Sequence, residues 1–91
     1  MAKAVWKTLV PLGRNGGSVI TSRLLPQVAW DPKGLLVWFE TPQDDPAPMV
    51  HHLHVVLTGD MFPDSWEWIA TTRSERTGFV GHLYRSAIDP Y

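Results

Sequence analysis

Histidine is the residue type in this chain best suited to chemistry near neutral pH, because an imidazole gains or loses its charge there and can hold a proton, a phosphate or a metal. Three of the four histidines fall in one run, His51-His52-x-His54, and the fourth is His82. On a strand, His52 and His54 share a face about 7 Å apart at the backbone, a spacing that two-histidine metal sites use. A third ligand would have to come from His82, Asp60 or Asp64, and nothing in the sequence fixes those distances. The expectation is therefore a polar surface feature and no metal. His54-x-Val56 and His82-x-Tyr84 also depart from the paired His-x-Ser/Thr pattern with which one class of phosphoesterases holds its phosphate. Cleavage of a phosphodiester by the histidines stays as an alternative.

Other catalytic arrangements are weaker still. A serine hydrolase would carry its nucleophile on an elbow such as G-x-S-x-G, and no such segment exists. Gly13-x-x-Gly16-Gly17-Ser18 has the look of a phosphate-cradling loop but lacks the G-K-S/T ending and a following helix, so it reads as a turn. Glu40, Glu67 and Asp60 are isolated carboxylates of the kind a solvated surface supplies. No nucleophile, general base and orienting group come together, so the chain is expected to be no enzyme and to need no cofactor.

Flat aromatic surface is the more suggestive feature. Trp6, Trp30, Trp38, Trp66 and Trp68, with Phe39, Phe62, Phe79 and Tyr84, are too many rings for a small core to bury completely. Some must face a pocket or an interface. Behind Trp66 and Trp68 come Thr71, Thr72, Arg73, Ser74, Arg76 and Thr77, hydroxyl donors with two guanidiniums. That combination suits a base stacked on a ring with its phosphates clamped by arginine. The competing reading is a pair of core tryptophans followed by a solvated loop in which Arg73, Glu75 and Arg76 compensate one another.

The elements that would position these groups are strands. Eight prolines and seven glycines divide the chain into pieces too short for stable helices. Ala4 to Val10 and Ser18 to Ser22, joined by Pro11 to Gly17, read as a hairpin. Val28 to Trp30 and Leu35 to Glu40 flank Asp31-Pro32-Lys33-Gly34 and read as a second. Thr41 to Met49, with three prolines, should be an exposed loop. Val50 to Thr58, Trp66 to Thr72 and Phe79 to Arg85 supply three more strands.

Period 2 puts Leu53, Val55 and Leu57 on one face of the fifth strand, headed by His51, with His52, His54, Val56 and Thr58 on the other. In the sixth, Trp66, Trp68 and Ala70 oppose Glu67, Ile69 and Thr71. Neither face of the last two strands is plainly polar, so a second sheet or another subunit should cover them. The expected fold is all-β, about seven short antiparallel strands in a sandwich or half-open barrel, oligomeric, with residues 1–91 as one domain.

Composition bounds the rest. A chain of 91 residues, 44% hydrophobic and 19% charged, is globular and too short for two cores. Eight Lys and Arg against nine Asp and Glu leave a net charge of -1, too balanced to grip a nucleic-acid duplex through counterion release. Without cysteine there is no disulfide and no zinc thiolate, and no apolar run approaches the roughly 20 residues that span a bilayer. A soluble intracellular protein without membrane contact is expected.

From Trp6 onward the order of features resembles a family of small uncharacterised proteins encoded mainly by phages of actinobacteria and other bacteria. The matching residues are Trp6-Lys7 with Pro11, Leu36-Val37-Trp38, Leu57-Thr58-Gly59-Asp60 with Pro63, Trp68-Ile69-x-Thr71 and Gly78-Phe79-Val80-x-His82-Leu83-Tyr84. They cover most of residues 5 to 85. The departures are a polar insert at Gln43 to Pro48 and the His51-His52-x-His54 run. No activity comes with the resemblance. It does imply a phage origin, where small all-β proteins without a catalytic constellation act by binding. The expected function is a counter-defence sponge in the cytoplasm of the infected host, a homo-oligomer that sequesters a cyclic nucleotide or an ADP-ribose derivative uncleaved. Its candidate contacts are Arg73, Arg76, Trp66, Trp68, His52, His54 and His82. The alternative from another class is a plug that covers a host protein through exposed tryptophans.

Overall fold

The computed structural model describes residues 3–13, 15–42 and 47–91. Within them the chain forms seven strands and no helix: β1 (Lys3–Pro11), β2 (Gly17–Thr21), β3 (Arg23–Asp31), β4 (Gly34–Pro42), β5 (Met49–Leu57), β6 (Glu67–Arg73) and β7 (Val80–Pro90). Every pairing is antiparallel. One sheet has the order β1-β4-β3 and the other β2-β5-β7-β6. The two pack face to face as a sandwich and do not close into a barrel.

Alternation explains which residues lie between the sheets. On β5, His51, Leu53 and Val55 are buried on the inner face, while His52 and His54 are half-buried on the outer one. Leu35, Val37, Leu53 and Leu83 are fully shielded from water, and Val10, Val19 and Val55 complete the central cluster. Trp30 reaches across from β3 toward β7 at Gly81, where an added Cβ would stand 2.6 Å from the indole ring. Only glycine leaves room for so large a ring to cover the second sheet at that point.

The β3–β4 hairpin follows the sequence reading. Asp31 pairs with Gly34, and the Asp31 carboxylate accepts a hydrogen bond from the Lys33 amide at 3.0 Å, which closes the turn. The expected hairpin of the first two strands does not form. β1 pairs with β4 and β2 with β5, so the chain between them passes from one sheet to the other. Val10 and Val19 then enter the core from opposite sides, which a local hairpin would prevent.

Several strands also differ in extent, and β3 begins at Arg23, five residues before the expected Val28. β6 begins at Glu67 rather than Trp66, and its register shifts between Trp68 and Ala70. The bulge leaves Trp68 and Thr71 on the outer side and turns Ala70, expected to share a face with Trp68, into the interior. β7 runs on to Pro90 past an irregularity at which Ser86 has no register position opposite it on β5. Of the loop expected at Thr41 to Met49, Thr41 and Pro42 end β4 and Met49 begins β5, while residues 43–46 lie outside the described residues.

The chain changes sheet again at Thr21 and Ser22, with no loop between β2 and β3. The buried Thr21 hydroxyl accepts from the Arg23 amide at 3.1 Å and donates to the Glu40 carbonyl, tying the corner to β4. His51 holds the same corner from β5, its Nε2 lying 2.9 Å from the Thr21 carbonyl.

Candidate functional site

The outer face of the four-stranded sheet gathers most of the residues singled out from the sequence. β5 contributes His52, His54 and Val56, β7 contributes His82 and Tyr84, and β6 contributes Trp68 and Thr71. The connection from Thr58 to Trp66 folds back over this face. Its start is a tight turn in which Asp60 accepts from the Leu57 amide through its carboxylate and donates its own amide to the Leu57 carbonyl, both at 2.9 Å.

That turn lays two rings on the sheet. Trp66 stacks on His54 with centroids 4.1 Å apart and planes 18° from parallel, and Phe62 meets Tyr84 at 4.5 Å. Val56 is buried beneath them. A cleft of about 440 Å³ remains between this connection and the β1–β2 crossing, lined by Leu12, Gly13, His54, Asp60, Phe62 and Trp66 among others.

Beside the aromatic group runs a row of hydrogen bonds. Trp68 Nε1 donates to Thr71 Oγ1 at 2.8 Å, and Thr71 Oγ1 lies 2.9 Å from His82 Nδ1. An indole nitrogen only donates, so the Thr71 proton is free to point at His82 Nδ1. This favours the tautomer with its proton on Nε2, directed at Thr58 Oγ1 at 3.4 Å. Trp68, though 57% exposed, therefore has its ring orientation fixed from within the sheet.

The other histidines are committed elsewhere. His54 Nε2 is 2.7 Å from Ser86 Oγ, and its buried Nδ1 has no hydrogen-bond partner among the described residues. His52 sits between Ser18 Oγ at 3.3 Å and the Asp89 carboxylate at 3.0 Å. His51 points inward. Burial holds its pKa below the ordinary value, the bond to the Thr21 carbonyl opposes that shift, and the charges of Arg85 and His52 add to it. Among the described residues no three His, Cys, Asp or Glu side chains are grouped so as to hold a metal ion.

Arg73 ends β6, two residues beyond Thr71 and hence on the same face, and Arg76 lies in the turn after it. Both are exposed and form no ion pair with a described residue, nor does Glu75, so the expected mutual compensation of this loop is not made. The turn is shaped instead by Ser74, whose carbonyl accepts from the Gly78 amide and whose amide donates to Phe79, both at 2.8 Å.

The structure thus brings Trp68, His82 and Arg73 onto one surface, sets His54 and Trp66 against each other next to them, and occupies His52 with Asp89. Phe62, Tyr84 and Ser86 were not among the candidate contacts read from the sequence. Alternation did put Tyr84 on the face of His82, but the return of Phe62 onto the sheet depends on the Asp60 turn.

Thr58-Gly59, Trp68-x-x-Thr71 and His82, distant in sequence, meet at this one place. No curated protein matches the chain, and no solved structure does. The match that exists runs over residues 1–90, and it makes the chain a member of the family described as a domain of unknown function, DUF7352.

Proposed function

We propose that this protein binds a nucleotide-derived small molecule on the outer face of its four-stranded sheet and does not cleave it. The observation that carries this reading is the exposed Trp68 ring, oriented by Thr71 next to His82, with the unpaired Arg73 further along the same strand. A base can stack on the indole, His82 can turn its Nε2 proton from Thr58 to a ribose or phosphate oxygen, and a guanidinium can take a phosphate in bidentate fashion. Arg76 is the second cation within the same loop. Trp66 and His54 cover each other and serve as a wall, and His52 is a peripheral donor.

In its fuller form the reading is a phage counter-defence sponge in the host cytoplasm, a homo-oligomer that removes a cyclic nucleotide or an ADP-ribose derivative from circulation. A second reading, the plug on a host protein, is favoured by exposed apolar side chains such as Met61 at 97% and Trp68 at 57%.

Incubation with a panel of cyclic nucleotides and ADP-ribose derivatives, followed by heating and mass spectrometry of what is released, tests the proposal. An intact nucleotide supports the sponge and a hydrolysed one the enzyme. No nucleotide, with recovery of a host protein instead, supports the plug. Trp68→Ala should weaken capture about tenfold or more while leaving the fold intact, since stacking of one base contributes about 1–3 kcal/mol. Arg73→Ala should act similarly through the lost phosphate contact.

A further inference from the structure

We propose a second binding site, for the carboxylate of a small apolar acid, at Arg85 on the open side of the sandwich between β3 and β6. Here β3 and β6 border an open groove of about 500 Å³. Its apolar lining is Leu24, Leu25, Pro26, Trp68, Ile69 and Ile88, and its polar groups come from Ser22, Arg23, His51, Arg85 and Glu67.

Three irregularities converge on this place. The β3–β4 register shifts between Leu24 and Val28, the β6–β7 register between Trp68 and Ala70, and β7 carries its extra residue at Ser86, next to Arg85. Bulges of this kind redirect side chains, and they gather at functional sites. In this case they leave an apolar opening beside a guanidinium that is only 19% exposed.

The hydrogen-bond inventory of Arg85 leaves capacity for a ligand. His51 Nε2 is 2.9 Å from the Thr21 carbonyl and must donate to it, so His51 Nδ1 can only accept, and it does so from Arg85 Nη1 at 3.1 Å. Arg85 Nη2 donates to Glu67 Oε2 at 2.6 Å. Of the five N–H groups of a guanidinium, three are left with no partner among the described residues. The neutral His51 contributes orientation and no charge. Among the described residues the one anion paired with Arg85 is Glu67, which touches it through one oxygen and is 60% exposed, so it can swing into water.

Those features select the ligand. A carboxylate fits the fork of the free N–H groups and brings one negative charge to one partly compensated cation. Arg23, the other cation of the lining, is 63% exposed and lies 3.8 Å from the Glu40 carboxylate, so a phosphate dianion would meet Glu67 with no second cation held free beside Arg85. The apolar part of the lining favours a ligand whose remainder is apolar. This site is independent of the nucleotide-binding face except at Trp68, which borders both.

Titration of isotope-labelled protein with 3-phenylpropionate and with its neutral amide, followed by NMR, tests the assignment. The acid should produce saturable shifts at Trp68, Ile69 and Arg85, and the amide should bind about tenfold more weakly or worse. Glu67→Gln removes the competing carboxylate and should tighten the acid severalfold. Arg85→Gln should abolish binding. If Arg85→Gln does not fold, the acid-to-amide ratio and the Glu67→Gln result decide alone. Equal binding of acid and amide, or no saturable binding to Glu67→Gln, overturns the proposal. Arg73→Ala should leave acid binding unchanged, which separates this outcome from that of nucleotide capture.

Discussion

An imidazole shut away from water takes up a proton reluctantly, and His51 is so placed, with its Nε2 on the Thr21 carbonyl and Arg85 against its Nδ1. Its pKa in the folded protein lies below the ordinary 6.5 that it regains on unfolding. Above 6.5 both states hold the neutral ring and the folded state loses nothing. As the pH falls below that value the unfolded chain binds a proton that the folded one refuses, so stability declines until the folded pKa is passed. Urea midpoints should therefore be lower at pH 5 than at pH 7, and the difference should shrink in His51→Gln. A pH dependence unchanged by that substitution would assign it to other groups. At this scale the sequence was partly legible. Alternation put His51 at the head of the apolar row, but its partner Arg85 was invisible, because the contact depends on where β7 carries its extra residue.

Strands, not single residues, decide how well the two sheets fit. The alternation of β5 and the Asp31-Pro32-Lys33-Gly34 turn could be read directly, since a strand buried on one face and a tight turn both write themselves into adjacent residues. β1 and β2 could not be paired correctly, because a glycine-rich turn serves a hairpin and a crossing between sheets equally well. The bulge in β6 likewise leaves no mark in composition. Where β3 meets β7, at Trp30 and Gly81, an added methyl group must displace a rigid ring. Gly81→Ala should cost about 1–3 kcal/mol in urea unfolding through overpacking. Leu53→Ala, in the fully buried centre of β5, should cost about 2–5 kcal/mol for the opposite reason, a cavity. If either variant unfolds at the wild-type midpoint, the packing described between β5, β7 and β3 is wrong.

For the whole molecule, topology sets the pace. The pairings of β2 with β5 and of β5 with β7 join segments far apart in the chain, and β1 pairs with β4 across the intervening β2 and β3. Such non-local pairing is slow, and refolding should take milliseconds to seconds, measured by stopped-flow tryptophan fluorescence. Microsecond refolding would contradict this set of pairings. The surplus of rings noted in the sequence is also a property of the whole. None of the five tryptophans belongs to the fully buried set, and Trp6 and Trp68 are more than half exposed.

β1 lies at the margin of its sheet, and from Lys3 to Lys7 every side chain on it is exposed. Its outward amides and carbonyls form a template onto which the same strand of another molecule could add, repeatedly, as in a fibril. Lys3, Val5 and Lys7 share one face by alternation, so two ammonium groups flank the apolar residue that would otherwise invite such growth. Replacing Lys7 by valine would leave Val5, Trp6 and a third apolar neighbour in a row. The resulting protein should fold as before yet turn cloudy on concentration.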